Sequence, residues 1–223
     1  MTAQPGVTLV VLAKAPVPGR VKTRLMTELT GAQAAEVAAA ALADTVQAAL
    51  AVPGARVVIA LDGPAPGWLP PGVPVLPQRG VGLAERIDAA LADAHALAGG
   101  PLLLVGMDTP QLATADLMAA CAALHAGPAV LGPAEDGGWW LLGLREPAPG
   151  LLTGVPMSSA STGSDTVARL VRAGLAPVVL RAMRDVDTPD DARAVARLAP
   201  GTRFAQVVRT VLSGATVEHP VPA

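Results

Sequence analysis

The chain has 223 residues, a formal net charge of −2, and 52 % hydrophobic residues against 2 % aromatic ones. This length allows one sizeable core, and the near-neutral charge gives no reason to expect binding to nucleic acids or anionic membranes. No apolar run reaches the roughly 18 residues of a membrane span. The single cysteine, Cys121, excludes an intramolecular disulfide and is typical of a reducing compartment. We therefore expect a cytoplasmic monomer or homodimer without nucleic-acid or membrane partners.

Short β-branched runs alternate with longer alanine-rich runs along the chain. The pattern predicts strands over Val7–Ala13, Arg56–Asp62, Pro74–Gln78, Leu102–Met107, Ala129–Pro133, Trp139–Leu144 and Ala176–Leu180. It predicts helices over Gly31–Leu50, Gly82–Ala98, Leu112–His125, Ser164–Ala173, Asp190–Ala199 and Phe204–Leu212. Such alternation is typical of an α/β fold with a mostly parallel sheet covered by helices on both faces. We expect a single domain over residues 1–213 and a disordered tail over residues 214–223.

The first predicted strand leads into the strongest concentration of positive charge. Lys14 and Lys22 are the only lysines of the chain, and Arg20 and Arg24 lie in the same eleven-residue stretch. The lysine ammonium is a compact point charge that suits a phosphate oxygen. We predict that these four residues bind the phosphates of a nucleotide and that Lys22 is also catalytic.

Two Asp-Thr-Pro triplets follow predicted strands. They are Asp108–Pro110 and Asp187–Pro189, in which Thr is expected to cap a helix and Pro to occupy its first turn. The aspartates would then lie at the carboxyl edge of the sheet, where ligands bind in open α/β folds. Because Mg²⁺ is commonly held by one or two carboxylates plus phosphates, we predict a Mg²⁺ or Mn²⁺ site at Asp108 and Asp187. In this prediction Asp108 is also catalytic and Asp185 is a fallback ligand. The alternative is that each aspartate only stabilises its turn.

An acidic, glycine-rich turn joins the fifth and sixth predicted strands. It contains Glu135, Asp136, Gly137, Gly138 and Trp139. Consecutive glycines allow the backbone to approach a ligand closely, and the acidic groups can bind an acceptor hydroxyl or amine. We predict that these five residues bind the acceptor substrate and that Asp136 is catalytic, as a base. A hairpin turn with solvated acidic side chains is the alternative interpretation.

A further nucleotide-binding segment follows the third predicted strand. The amide of Gln78 can read the edge of a base, and Gly82 allows close approach of the backbone. Arg86 can reach a phosphate or pair with acids on its own helix. The hydroxyl-rich segment Pro156–Asp165 can line the acceptor side, although helix capping by Ser164 explains part of its composition.

Four segments together resemble the DUF2064 family, glycosyltransferase-like proteins of the nucleotide-diphospho-sugar transferase superfamily: Ala13–Leu25, Gly106–Pro110, Gly132–Leu144 and Asp185–Asp191. The ending Lys22–Leu25 is also similar to the basic loop of 2-phospholactate guanylyltransferases. The resemblance implies a doubly wound, GT-A-like fold with a mixed sheet, a divalent metal at Asp108 and Asp187, and a nucleotide over the first loop. Trp139 and Trp140 depart from the family, in which Tyr is frequent there.

Two transferase reactions fit these residues. A nucleotidyltransferase moves NMP from an NTP to a small phosphorylated or hydroxyl acceptor, whereas a glycosyltransferase uses an NDP-sugar donor. Both reactions depend on a metal at the phosphates and on electrostatic positioning. Four cations in the first loop suit a triphosphate and its pyrophosphate leaving group, which favours nucleotidyl transfer. A non-catalytic nucleotide-binding module is the third alternative.

Overall fold

Strands and helices alternate along the chain in a computed structural model that describes residues 6–213. The strands are β1 (Thr8–Lys14), β2 (Arg56–Asp62), β3 (Val75–Pro77), β4 (Leu102–Gly106), β5 (Ala129–Pro133), β6 (Trp139–Leu144) and β7 (Pro177–Val179). The helices are α1 (Gly31–Leu50), α2 (Leu83–Ala98), α3 (Thr114–Ala126), α4 (Thr162–Arg172), α5 (Pro189–Leu198) and α6 (Arg203–Ser213), with a 3₁₀ helix over Thr23–Thr27. Every predicted strand and helix is present, and the predicted tail lies outside the described residues.

The seven strands form one sheet in the order β3-β2-β1-β4-β6-β5-β7. Strand β6 runs antiparallel to both of its neighbours, β4 and β5, while the other pairings are parallel. The prediction of a mostly parallel, mixed α/β sheet is therefore confirmed. The carboxyl ends of the six parallel strands meet at one edge, which collects the loops that carry the predicted site.

Alternating side chains of the strands build separate cores on the two faces of the sheet. In β1, Leu9 and Val11 belong to the core beneath α1 and α3, whereas Val10 belongs to the core beneath α2 and α4. This is the period-2 pattern of a strand buried on both faces. A third core joins α1 to α5 and α6, and Phe204, the only phenylalanine, is fully buried in it.

Two predicted helix caps are wrong. Helix α3 begins at Thr114, with Ala113 as its N-cap, so Thr109 does not cap it. Helix α4 begins at Thr162, and the Ser164 hydroxyl donates to the carbonyl of Ser161 from within the helix. Within residues 6–213, no helix is both long enough and apolar enough to cross a membrane.

Candidate active site

A cleft of about 510 Å³ opens at the carboxyl edge of the sheet, between the loops that follow β1, β3 and β4. Six residues predicted from the sequence line it: Lys14, Lys22, Arg24, Gln78, Asp108 and Asp187. The cleft has the size of a small-molecule site, and charged groups of both signs face it.

Lys22 is the most deeply placed cation of the cleft. Its backbone is left-handed, with φ 49°, which is uncommon for a residue with a side chain. The neighbouring Leu25 is fully buried and anchors the 3₁₀ helix that follows. The Lys22 side chain is only 6 % exposed; its Nζ pairs with Asp108 and donates to the carbonyl of Val186. The basic loop thus aims this ammonium group into the cleft.

The other cations of the first loop differ in their surroundings. Arg24 pairs with Asp187 at 2.5 Å, and both side chains are largely exposed. Lys14 lines the cleft at the end of β1, where its backbone N–H faces the sulfur of Met107. Arg20 is exposed and lies outside the cleft lining. Lys14, Lys22 and Arg24 therefore share one cavity, and Arg20 does not.

The two aspartate-bearing turns meet through a segment that crosses the edge of the sheet. Strand β7 is separated from β4 by β6 and β5, so the strands themselves do not bring Asp187 to Asp108. After β7 the chain turns back: Met183 bridges to Ala134, and the Val186 N–H donates to the Asp108 carbonyl at 2.9 Å. The backbone bonds of this crossing segment, residues 181–188, bring the carboxylates together.

Asp185 lies in the middle of the crossing segment and is half-buried. Burial is the main cause that raises its pKa to about 7; the carboxylates of Asp108, Asp136 and Asp187 raise it further, while Lys22 opposes them. Its Oδ1 atom is buried and has no hydrogen-bond partner within residues 6–213. Negative charge is therefore concentrated here beyond what Lys22 neutralises.

The carboxylates fit a divalent cation that takes part of its coordination from a ligand. A buried carboxylate oxygen without a partner, surrounded by further carboxylates, is a site that a cation would stabilise. Among the described residues, no group of three or more His, Cys, Asp or Glu side chains is arranged as a metal site. Magnesium sites commonly use one or two carboxylates and complete the shell with phosphates and water.

Gln78 is held rigidly at the side of the cleft. Its Nε2 donates to the carbonyls of Ala13 and Ala60 at 2.8 and 2.9 Å. Both amide N–H groups are thus engaged by the protein, and Oε1 is the group that a base can reach. Gly82 is the N-cap of α2 with an extended backbone that any residue adopts. Arg86 lines the cleft and pairs with Asp62 at 2.7 Å.

The acidic turn is docked against the hydroxyl-rich segment that precedes α4. Gly137 has φ +91°, and a Cβ there would lie 2.1 Å from the carbonyl oxygen of Ala160. The Gly163 N–H also donates to the Gly137 carbonyl at 2.8 Å. Only glycine permits this close approach. From the docked segment, Ser158 projects into the cleft lining with φ 58°.

The side chains of the acidic turn lie beside the cleft rather than in its lining. Asp136 is exposed, and its Oδ1 accepts from the Gly138 N–H at 2.8 Å. Glu135 is exposed and pairs with Arg184 at 2.9 Å. Trp139 and Trp140 pack into the cores on opposite faces of the sheet, and the Trp139 Nε1 atom is buried.

Comparison with known proteins agrees with this architecture. A family model described as "Uncharacterized protein conserved in bacteria (DUF2064)" matches residues 34–159. The chain belongs to the DUF2064 family. The predicted membership of that family is thereby confirmed; the matched range contains the segments Gly106–Pro110 and Gly132–Leu144.

The relatives of this DUF2064 protein are transferases. It is 34 % identical to a phosphoenolpyruvate guanylyltransferase of Streptosporangium roseum over 220 residues, which covers 94 % of this chain and 93 % of the relative. A phosphoenolpyruvate guanylyltransferase of Salinispora arenicola is 35 % identical over 205 residues, with coverage of 86 % and 89 %. The structure of a proposed nucleotide-diphospho-sugar transferase from Desulfovibrio desulfuricans G20 superposes with a TM-score of 0.85 at 25 % identity, with coverage of 94 % and 96 %. The predictions of a transferase and of a nucleotide-diphospho-sugar transferase-like fold are confirmed.

Three features of the site carry only a weak signal in the sequence. Asp185 appeared only as a fallback ligand because nothing in its local sequence indicates burial. Gln111, which donates to the Arg184 carbonyl at 2.7 Å, follows the first Asp-Thr-Pro triplet without any motif of its own. Val81 lines the cleft with 94 % exposure, an unusual environment for an apolar side chain; the signal available was its place between Gly80 and Gly82.

Proposed function

We propose that this DUF2064 protein is a nucleotidyltransferase that moves NMP from an NTP to a small phosphorylated acceptor in the presence of Mg²⁺ or Mn²⁺. The observation that carries the proposal is the pairing of phosphate-binding cations with carboxylates in one cleft, Lys22 with Asp108 and Arg24 with Asp187. A metal–triphosphate complex offers the cations an anion and the carboxylates a cation, so it can replace both pairings at once.

The reaction follows from this charge arrangement. An acceptor phosphate oxygen forms a bond to the α-phosphorus, the α–β phosphoanhydride bond breaks, and its electron pair leaves with pyrophosphate. A phosphate acceptor is largely ionised at pH 7 and needs no base, whereas a hydroxyl acceptor would use Asp136. Lys22 and Arg24 would bind phosphate oxygens and stabilise the charge that develops on pyrophosphate. Asp108 and Asp187, with Asp185 beside them, would hold the metal, which supplies Lewis-acid polarisation of the phosphates when bound.

Guanine is the base that we propose. Gln78 offers a fixed acceptor, Oε1, to the cleft, and guanine presents N–H donors on its Watson–Crick edge. The two curated relatives are guanylyltransferases that are named for phosphoenolpyruvate. A phosphorylated carboxylic acid is accordingly our first candidate acceptor, bound between the acidic turn and Ser158.

Glycosyl transfer is the second candidate function. It is favoured by the similarity to the proposed nucleotide-diphospho-sugar transferase, which covers nearly all of both chains. Phosphate binding by the basic loop would be the same in this reaction, but the acceptor would attack a sugar carbon and release NDP.

Thermal unfolding against a panel of ligands tests the choice. The panel contains the four NTPs, several NDP-sugars and free NDPs, each measured with Mg²⁺ and with EDTA. A ligand at about 100 times its Kd adds about 2.7 kcal/mol of stability. We expect GTP with Mg²⁺ to raise Tm most and EDTA to remove the effect. A larger shift with an NDP-sugar than with any NTP would overturn nucleotidyl transfer in favour of glycosyl transfer.

A further inference from the structure

The turn after β4 and the crossing segment are joined by two hydrogen bonds that bracket Asp185. The Val186 N–H donates to the Asp108 carbonyl at 2.9 Å. On the other side of Asp185, the Gln111 side chain donates from Nε2 to the Arg184 carbonyl at 2.7 Å. The peptide that carries Asp185 is therefore tied at both ends to the turn that carries Asp108.

The orientation of the Gln111 amide is fixed by chemistry. The Arg184 carbonyl can only accept a hydrogen bond, so Nε2 must face it. The Oε1 atom then turns away into a buried position without a partner among the described residues. An unpaired buried acceptor lowers stability, so this glutamine is a poor choice for folding alone. Its benefit lies in the bond that Nε2 makes.

The crossing segment has little other side-chain support from the β4 turn. It belongs to no regular element between β7 and α5, so individual bonds determine its conformation. The Arg184 side chain points the other way, to the exposed Glu135, and such surface ion pairs contribute little. The Lys22 ammonium group also donates to the Val186 carbonyl, but Lys22 belongs to the basic loop after β1 and not to the β4 turn.

We propose that Gln111 is a positioning residue that holds the crossing segment, and with it Asp187, in register with Asp108 for binding of a divalent cation. The inference rests on the proposed function, because it assumes that these carboxylates hold the metal. Residues that orient metal ligands through hydrogen bonds typically change metal affinity 10- to 100-fold when they are replaced. Gln111 acts through the Arg184 carbonyl and contacts neither metal nor substrate.

Mn²⁺ binding to the full-length protein, measured by calorimetry in the absence of nucleotide, tests this role. Gln111→Met removes the donor and the unpaired oxygen while keeping an unbranched chain of similar length. Thr114→Val is the matched control, because Thr114 makes a comparable side-chain bond, to the Ala48 carbonyl at 3.2 Å, away from the carboxylates. We expect Gln111→Met to bind Mn²⁺ about tenfold more weakly or worse, with a Tm close to that of the wild type. Thr114→Val should bind Mn²⁺ as the wild type does.

Unchanged Mn²⁺ affinity in Gln111→Met would overturn the positioning role and leave the proposed function intact. Equally weakened Mn²⁺ binding in Gln111→Met and Thr114→Val would overturn the positioning role as well, since it would indicate a general loss of order in the fold. Absence of Mn²⁺ binding to the wild type would instead remove the metal assignment on which the inference rests, while the NTP panel would still decide the reaction. In turnover assays, Gln111→Met should raise the Mg²⁺ concentration for half-maximal rate more than the KM for GTP.

Discussion

The two Asp-Thr-Pro turns have the same sequence and different structures. In the second, Thr188 is the N-cap of α5 and forms a capping box with Asp191, while Pro189 occupies the first turn. In the first, no helix begins at the triplet: α3 starts at Thr114. Thr109 is 1 % exposed, and its hydroxyl is among the buried atoms without a partner in the described residues. The local signal therefore predicts a turn that presents a carboxylate, and only the tertiary context decides whether a helix follows.

The comparison extends to the carboxylates themselves. The two carboxylates are similarly exposed, Asp108 at 49 % and Asp187 at 42 %, but the lysine that pairs with Asp108 is only 6 % exposed and the arginine that pairs with Asp187 is 72 % exposed. Electrostatic interactions are stronger where water is excluded. We therefore assign Asp108 the larger share of the chemistry, and the following predictions test the difference between the two turns.

The largest effect is expected for the two carboxylates in catalysis. Asp108→Asn should lower the rate of pyrophosphate release from GTP by about 10³-fold, the size seen when a preorganised charge interaction is lost. Asp187→Asn should cost about tenfold less, because its partner Arg24 is an exposed side chain and solvent screens that pairing. Asp190→Asn is the matched control, since Asp190 is 94 % exposed and lies in the first turn of α5, the helix that follows Asp187. If Asp187→Asn lowered the rate as much as Asp108→Asn, the larger catalytic share assigned to Asp108 would be contradicted.

Asp185, between the two turns, should make stability depend on pH. Its pKa of about 7 in the folded chain lies above its ordinary value of 3.8, so the folded state keeps a proton that the unfolded state loses. The resulting stability is fully present below about pH 4 and is lost as pH rises to about 7. Asp185→Asn removes this loss and should be more stable than the wild type above pH 7, by up to about 4 kcal/mol.

Denaturant unfolding in EDTA across pH 4 to 8 measures this effect. The difference between the variant and the wild type should vanish towards pH 4 and level off above pH 7. A difference that stays constant with pH would show that the Asp185 carboxyl does not titrate in this range.

Lys22→Met should have effects of opposite sign on the two ligands. GTP binding should weaken at least about tenfold, since a hydrogen bond to a charged group contributes about 1.5–3 kcal/mol. Mn²⁺ binding without nucleotide should become tighter, because the loss of a positive charge that competes for Asp108 outweighs the loss of the hydrogen bond from Lys22 to the Val186 carbonyl. Lys14→Met is the control, because Lys14 lines the same cleft but has no ion pair within residues 6–213. Its replacement should weaken the binding of GTP and leave the affinity for Mn²⁺ unchanged. If Lys22→Met bound both GTP and Mn²⁺ more weakly, the idea that Lys22 and Mn²⁺ compete for Asp108 would be contradicted.

The smallest effect is expected for the two threonines. The Thr188 hydroxyl donates to Asp191 at 2.7 Å and accepts from its N–H at 3.3 Å, so Thr188→Val should cost about 1 kcal/mol of unfolding free energy. Thr109→Val removes a buried hydroxyl that has no partner among the described residues, and it should be neutral or stabilising. Urea denaturation of both variants measures the contrast, and a larger loss for Thr109→Val would show that its hydroxyl has a partner in solution.

The elements of the fold could be predicted because their signals are local. The boundaries of β2, β5, β6 and α1 agree with the predicted ones, and α1 begins with a capping box formed by Thr30 and Gln33, a pattern that can be read directly from the sequence. These features depend on alternation and on caps that a short window of sequence contains.

The assembly of the site could not be predicted in the same way. The approach of Asp187 to Asp108 depends on the crossing segment, which passes two intervening strands, and strand order has no local signature. The burial of Asp185 and the bond from Gln111 are consequences of that path. Likewise, consecutive glycines in the acidic turn predict a close approach of the backbone, but only the packing shows that Gly137 makes this approach to Ala160.

Phosphorus-31 NMR of the reaction mixture tests the central claim most directly. The wild-type protein is incubated with Mg²⁺, GTP and a phosphorylated carboxylic acid such as phosphoenolpyruvate, with Asp108→Asn as the control. Nucleotidyl transfer predicts equal growth of pyrophosphate and of a new phosphoanhydride that contains the α-phosphorus of GTP, absent in the control. Release of GDP from a GDP-sugar, with no pyrophosphate from any NTP across a panel of phosphorylated acceptors, would contradict it.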